Sequence, residues 1–364
     1  MRVSHRADVV GSLVAPPELE TARDAYRSGS LSPRGFKRVE DAAVDKVIAL
    51  QEAAGVDVVT DGELRRTHFA GPLIDACDGL EAKPAPQRRY YTSSGEKTVT
   101  ETPRSVTGRL TLRRNLVTEE FVYARRQASR PVKVTLPAPT MMAMFWSPEH
   151  SRPAYRDAFD LFADAVDILR HEVDELGRLG CDLVQFDAPE LAMLVDPDQR
   201  DHFASVGIDP DRFLAEGIEL LNAVASQPDV DFALHLCKGS KNRGFMAKGG
   251  YEAIASQVFR GANAFDQFLL EYDDDRSGNF EPLKAIPDDK IVVLGLVSTR
   301  RPDLEDVPTL ISRINEAARH FPRDQLAVST QCGFASGLRG DEDEMKFQSD
   351  KLALVAETAR QAWP

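Results

Sequence analysis

Apolar residues recur at three- and four-residue spacing in three long stretches of the chain, the pattern left by one buried face of an α-helix. Residues 34–54 carry it through Phe36, Val39, Ala43, Val47 and Leu50 and stop at Gly55, a residue suited to end a helix in the left-handed conformation. Residues 154–179 repeat it with Phe159, Phe162, Ala163, Val166, Leu169, Val173 and Leu176, and end before Gly180. A third helix is predicted over 345–362, where the acidic run 341–344 suits the positive end of the helix dipole. Shorter helices are predicted over 210–226, 251–260 and 307–320.

Between the helices lie short apolar runs rich in β-branched residues, at 7–10, 57–60, 132–136, 183–186, 232–236, 264–270, 291–296 and 326–330. Most show no polar alternation, which predicts strands buried on both faces, as in a parallel sheet. Helices alternating with strands predict an α/β fold, and eight strands favour a (β/α)8 TIM barrel over a doubly wound open sheet. Residues 83–112 break the rhythm. They are rich in Pro, Arg, Ser and Thr and finish in the alternating stretch from Ser105 to Leu112, which predicts a β-hairpin inserted between the second and third strands. With no internal repeat or linker, residues 1–364 are expected to form one elaborated domain.

Composition narrows the function classes. The 364 residues hold 45 Lys and Arg against 58 Asp and Glu, a net charge of −13. Such a chain repels phosphate backbones and anionic headgroups, so neither nucleic acid nor a membrane is expected as a partner, and a small-molecule enzyme is. No run approaches the ~18 apolar residues of a membrane span. The first residues do not read as a secretory signal, so a cytoplasmic location is expected. Cys77, Cys181, Cys237 and Cys332 are scattered along the chain. That spacing argues against disulfides and leaves packing, metal ligation or nucleophilic chemistry.

In a barrel of this type the chemistry collects where strands finish. The strand ends read Gly11-Ser12, Asp61-Gly62-Glu63, Pro137-Ala138-Pro139-Thr140, Asp187-Ala188-Pro189-Glu190, His235-Leu236-Cys237, Glu271, Ser298-Thr299-Arg300 and Gln331-Cys332-Gly333. His235 and Cys237 are two apart on a strand, so their side chains share a face and can share a zinc ion, with further ligands from Glu271 and Cys332. A core histidine beside a packing thiol accounts for the same pair, and at this point both readings stand. Glu63 and Asp187 are either solvated loop charges or, facing one cavity, a receptor for an ammonium group. Cys77 and Cys181 lack a strand-end position and are read as packing residues.

The ordered set Val10-Gly11-Ser12, Asp61-Gly62-Glu63, Asp187-x-Pro189, His235-x-Cys237, Glu271 and Cys332-Gly333 resembles the catalytic barrel of the cobalamin-independent methionine synthases, over nearly the whole chain. The resemblance implies a (β/α)8 barrel shared with uroporphyrinogen decarboxylase. It implies Zn²⁺ held by His235, Cys237, Glu271 and Cys332 and activating homocysteine for methylation. Ser12 would then touch the substrate carboxylate, and Glu63 and Asp187 would hold its ammonium. The chain is about half the length of the long synthases and is similar to the short, single-barrel branch often labelled methionine synthase II. Arg300 stands near the place where the long enzymes carry an Asp-x-His thought to supply a proton, and a guanidinium is no acid at neutral pH. The methyl donor, methyltetrahydrofolate or another, is therefore left open, and no catalytic residue is assigned. An S-alkyltransferase for another thiol, like the epoxyalkane:coenzyme M transferases, is an alternative in which Arg65, Arg66 or Lys238 would meet a sulfonate. A zinc-free uroporphyrinogen decarboxylase-like lyase is another, since the fold alone would suffice for it. A nonenzymatic binding module gives no reason for thiols and acids to gather at one end of a barrel.

Overall fold

The computed structural model describes residues 5–66, 68–240, 242–335 and 341–364. Ten strands are formed among them: β1 (Cys77–Glu81), β2 (Ala85–Tyr91), β3 (Lys97–Thr102), β4 (Ser105–Leu112), β5 (Lys133–Pro137), β6 (Leu183–Asp187), β7 (Asp231–Leu236), β8 (Gln267–Glu271), β9 (Ile291–Val297) and β10 (Leu326–Thr330). The last six form one parallel sheet in the order β10-β9-β8-β7-β6-β5. Apart from Asp231, every residue in these six strands is buried. This is why their sequences run unbroken in apolar residues. The fold is therefore α/β around a parallel sheet. In register, Pro137 pairs with Asp187 and Asp187 with His235, so the ends of β5, β6 and β7 finish at one level.

Helices return the chain between strands, chief among them Ala158–Arg178 and Pro210–Val224. The helix Pro33–Ala54 shows the local logic well. The Ser32 hydroxyl accepts from the Gly35 N–H at 3.1 Å, a proline opens the first turn, and Gly55 closes the helix at φ 89°. Ser32→Ala is expected to lower stability by about 1 kcal/mol, read as a shift of the denaturant midpoint at constant slope. An unchanged midpoint would remove the cap from this account.

Two of the eight predicted strands are not ladders. Residues 7–10 and 57–60 each make a single parallel bridge, Ala7 to Val328 and Val59 to Val132. Side chains take over the missing backbone partners there. The Asp57 carboxylate accepts from the N–H groups of Arg6 and Ala7, and the Gln51 amide bonds both the N–H and the carbonyl of Thr60. The buried Lys133 Nζ, 2.6 Å from Asp8 Oδ1, ties the first of these stretches to β5.

The predicted single hairpin is a larger device. β1 pairs antiparallel with β4, and β2 with β3, giving two nested ribbons that start at Cys77 rather than at residue 83. Only β4 alternates strongly enough for the pattern to be visible beforehand. The helices Pro17–Arg27 and Pro197–Ser205 were also outside the predicted set. Each opens on a proline, which suits a first helical turn. No helix among the described residues is long and apolar enough to cross a membrane.

Candidate functional site

The strand ends open into a cavity of about 780 Å³, and Ser12, Glu63, Asp187, His235, Cys237 and Cys332 all line it. Cys237 follows β7 and Cys332 follows β10, and the parallel sheet brings them together across 95 residues of chain. Ligand atoms of His235, Cys237 and Cys332 lie within 4.8 Å of one another. The two sulfurs are 3.7 Å apart. Two thiolates on one tetrahedral zinc, each at ~2.3 Å, stand roughly 3.8 Å apart. Both ring nitrogens of the buried His235 have no hydrogen-bond partner. An imidazole with two orphaned nitrogens is a cost unless something ligates it. The donor set fits zinc on chemistry and on spacing. A hydrogen bond from Cys332 holds the Cys237 thiol well below its ordinary range and pushes Cys332 well above it.

Glu271 ends β8 but lies outside this group of three. Its Oε2 accepts the Lys238 N–H at 2.8 Å, while Oε1 takes Arg276 and, at 3.2 Å, Arg300. Burial alone would raise this carboxyl, yet Arg276, Lys238 and Arg300 together hold it down at about 2. Arg300 also forks onto both oxygens of Asp273 at 2.7 Å and reaches Asp274 at 2.9 Å. It is thus bound up in carboxylates. The Lys238 ammonium is buried 3.9 Å from the Tyr251 ring centroid. The other cations considered for a sulfonate are engaged too: Arg65 with Glu40 and Asp41, Arg66 with Glu120.

Glu63 and Asp187 are both buried in the cavity wall. Glu63 sits at φ 58°, a conformation that costs a non-glycine residue energy and is found where function holds it. Thr135 Oγ1 donates to its Oε1 at 2.8 Å, and Arg66 is 3.8 Å away. A Cβ on Gly11 would stand 2.7 Å from the same oxygen, which explains the glycine before Ser12. Likewise a Cβ on Gly333 would fall 2.1 Å from Ser12 Oγ. Gln185 orients Asp187 by donating to Oδ1 at 2.8 Å and to the Val10 carbonyl at 2.7 Å. Burial pushes Glu63 up, and pushes Asp187 up to about 7 against the pull of His235. Two carboxyls in one enclosed space favour a ligand that brings positive charge.

The remaining candidates separate cleanly. Cys77 and Cys181 are buried, unbridged thiols that burial pushes up to about 11 and about 12, as packing residues should be. Glu190 is fully buried against Thr140 and does not line the cavity. Of the aromatics after β5, Phe145 lines the cavity. Trp146 instead donates its indole N–H to the Val206 carbonyl at 3.0 Å. Sequence reasoning missed Met144, and above all Arg88 and Thr102 on the ribbons. Nothing in their local pattern distinguishes them from surface residues of a hairpin.

Residues 6–349 match the family described as the catalytic domain of the cobalamin-independent synthases. The uncharacterized protein YxjH of Bacillus subtilis is 32% identical, covering 98% of this chain and 94% of the relative. Among solved structures, a putative vitamin-B12-independent methionine synthase from Listeria monocytogenes superposes with a TM-score of 0.76 at 24% identity, covering 100% of this chain and 99% of that one. A B12-independent methionine synthase from a Shewanella species, solved with selenomethionine, gives 0.73 at 20% identity over 98% of both chains. These two likenesses concern the fold.

Proposed function

Because the chain belongs to the family of the cobalamin-independent synthase catalytic domain, we propose that it is a zinc-dependent thiol S-methyltransferase acting on homocysteine. The observation that carries the reading is the trio His235, Cys237 and Cys332, with its orphaned imidazole, at the floor of a cavity that also holds two buried acids. Zinc bound there lowers the pKa of a substrate thiol and keeps it as the nucleophilic thiolate. Glu271 would be the fourth, exchangeable ligand of such an ion; without one its carboxylate is held by the Lys238 N–H, Arg276 and Arg300. Glu63 and Asp187 hold the ammonium of the amino acid, and Ser12 its carboxylate. The selenomethionine in the Shewanella relative has the size and charge such a site would hold. In the transfer a new S–C bond forms as the donor's bond to the methyl breaks. Arg300, paired with three carboxylates, does not protonate the departing donor.

The scaffold is read as one closed eight-stranded barrel. Hydrogen bonds from Asp8 to Val328, from Asp57 to Ala7 and between Val59 and the start of β5 support this, because they continue the sheet past both of its outer strands. The ribbons over 77–112 belong to the same domain and wall the cavity.

A thiol with an ordinary pKa near 8.5 is mostly protonated at pH 7, so its binding as a thiolate releases about one proton. Titration of homocysteine calorimetrically in buffers of different ionisation enthalpy is expected to show that proton as a buffer-dependent heat. Binding with no buffer dependence would overturn thiolate activation. A donor screen with homocysteine, comparing methyltetrahydrofolate, methylcobalamin and methylated thiols or sulfonium compounds, then identifies the methyl source.

A further inference from the structure

The ribbons bring into the cavity wall a cation that the strand ends do not supply. Arg88, on β2, is 7% exposed and lines the same cavity as the thiol trio. Its Nη2 donates to Thr102 Oγ1 at 2.6 Å, its Nη1 lies against the Met144 sulfur, and its Nε has no partner. The other two buried arginines among the described residues are paired, Arg66 with Glu120 and Arg300 with Asp273. Arg88 makes no ion pair among the described residues. Burial pushes its guanidinium down to about 10, with no anion to offset the loss of water. A buried charge without a counter-charge is unfavourable, and it persists in a folded protein where a ligand supplies what is missing. A thioether is a weak acceptor, so the Nη1 side of the guanidinium is readily given up to a better partner.

We propose that Arg88 is the anchor for an oxyanion, a carboxylate, phosphate or sulfonate, carried by the second ligand of this cavity. On the functional reading above, on which this role rests, that ligand is the methyl donor. Ser12, Glu63 and Asp187 already serve both ends of an amino-acid thiol. Arg88 reaches the cavity from a different wall, with Thr102, Met144 and Phe145 beside it. A planar guanidinium suits such a group because it offers two parallel N–H bonds.

The test is calorimetric titration of the whole protein with glutarate, inorganic phosphate and methanesulfonate, each with and without saturating homocysteine. At least one of the three is expected to bind, homocysteine present or not, and R88M to weaken it by about tenfold or more. R88M should keep its zinc content and its homocysteine-linked proton release, and should melt no lower than the parent, since methionine removes an unpaired buried charge. Arg88→Lys, which keeps the charge and loses the fork, should bind more weakly than the parent. Equal affinity in R88M, or in Arg88→Lys should R88M fail to fold, overturns the proposal. So does absence of binding to the parent, or displacement of the anion by homocysteine. A protein that holds no zinc and no homocysteine, yet loses anion binding in R88M, overturns the methyl-donor role and supports the anchor.

Discussion

Cys237→Ser and Cys332→Ser protein, purified under reductant, is expected to bind zinc at least a hundredfold more weakly than the parent, which should carry about one zinc per chain. The magnitude follows from rank. Groups that merely orient a zinc ligand are worth roughly ten- to a hundredfold in affinity, so removing a thiolate itself should cost at least the upper figure. Serine keeps the volume but is not deprotonated at neutral pH, and zinc ligation needs the anion. Methyl transfer to homocysteine should fall with the metal. Cys77→Ser and Cys181→Ser are the controls, because both thiols are buried away from the cavity and pushed up by burial. They should leave the metal content unchanged, whatever they do to stability. Parent protein that arrives without zinc, and whose Cys237 and Cys332 react freely with a thiol reagent once unfolding is excluded, would remove the metal centre.

Glu63→Gln should weaken homocysteine by about ten- to a hundredfold, the value of one charge-assisted hydrogen bond in a buried site, while a mercaptan without an amino group loses about threefold or less. The substitution is chosen to isolate charge. Glutamine keeps the oxygen that accepts from Thr135 and the shape that fits over Gly11, so the wall of the cavity is preserved. Competition binding with both thiols on the same protein gives the comparison directly. Equal losses would remove the ammonium assignment and point to a general disturbance of the cavity. Asp187 stays in place in that variant, so the loss should be partial.

Much of the scaffold was legible beforehand because burial on both faces leaves a plain trace in the chain. β5 to β10 are apolar runs of the right length, and the helices between them repeat at the spacing of one buried face. The stretches 7–10 and 57–60 have the same apolar composition, but Asp57 and Gln51 satisfy their backbones with side chains. A hydrophobicity pattern does not record which group accepts a hydrogen bond. The sequence pattern predicts one hairpin where there are two ribbons because β2 and β3 line a cavity as well as a core. Three of their five buried positions, Arg88, Thr100 and Thr102, are polar.

The candidate site divides along the same line. That His235 and Cys237 point the same way follows from the two-residue period of a strand. That the candidate residues gather at the strand ends follows from parallel topology, so both were determined by sequence alone. Which distant residues meet depends on register and on loops packing against each other, and only the tertiary structure decides it. Cys332 is brought to 3.7 Å from Cys237, whereas Glu271, on a strand between theirs, is drawn to Arg276 and Arg300. Arg88 is the clearest case. Along the chain it is one of several arginines on a polar ribbon, and it becomes a buried, unpaired cation only when that ribbon folds over the cavity and excludes water from it.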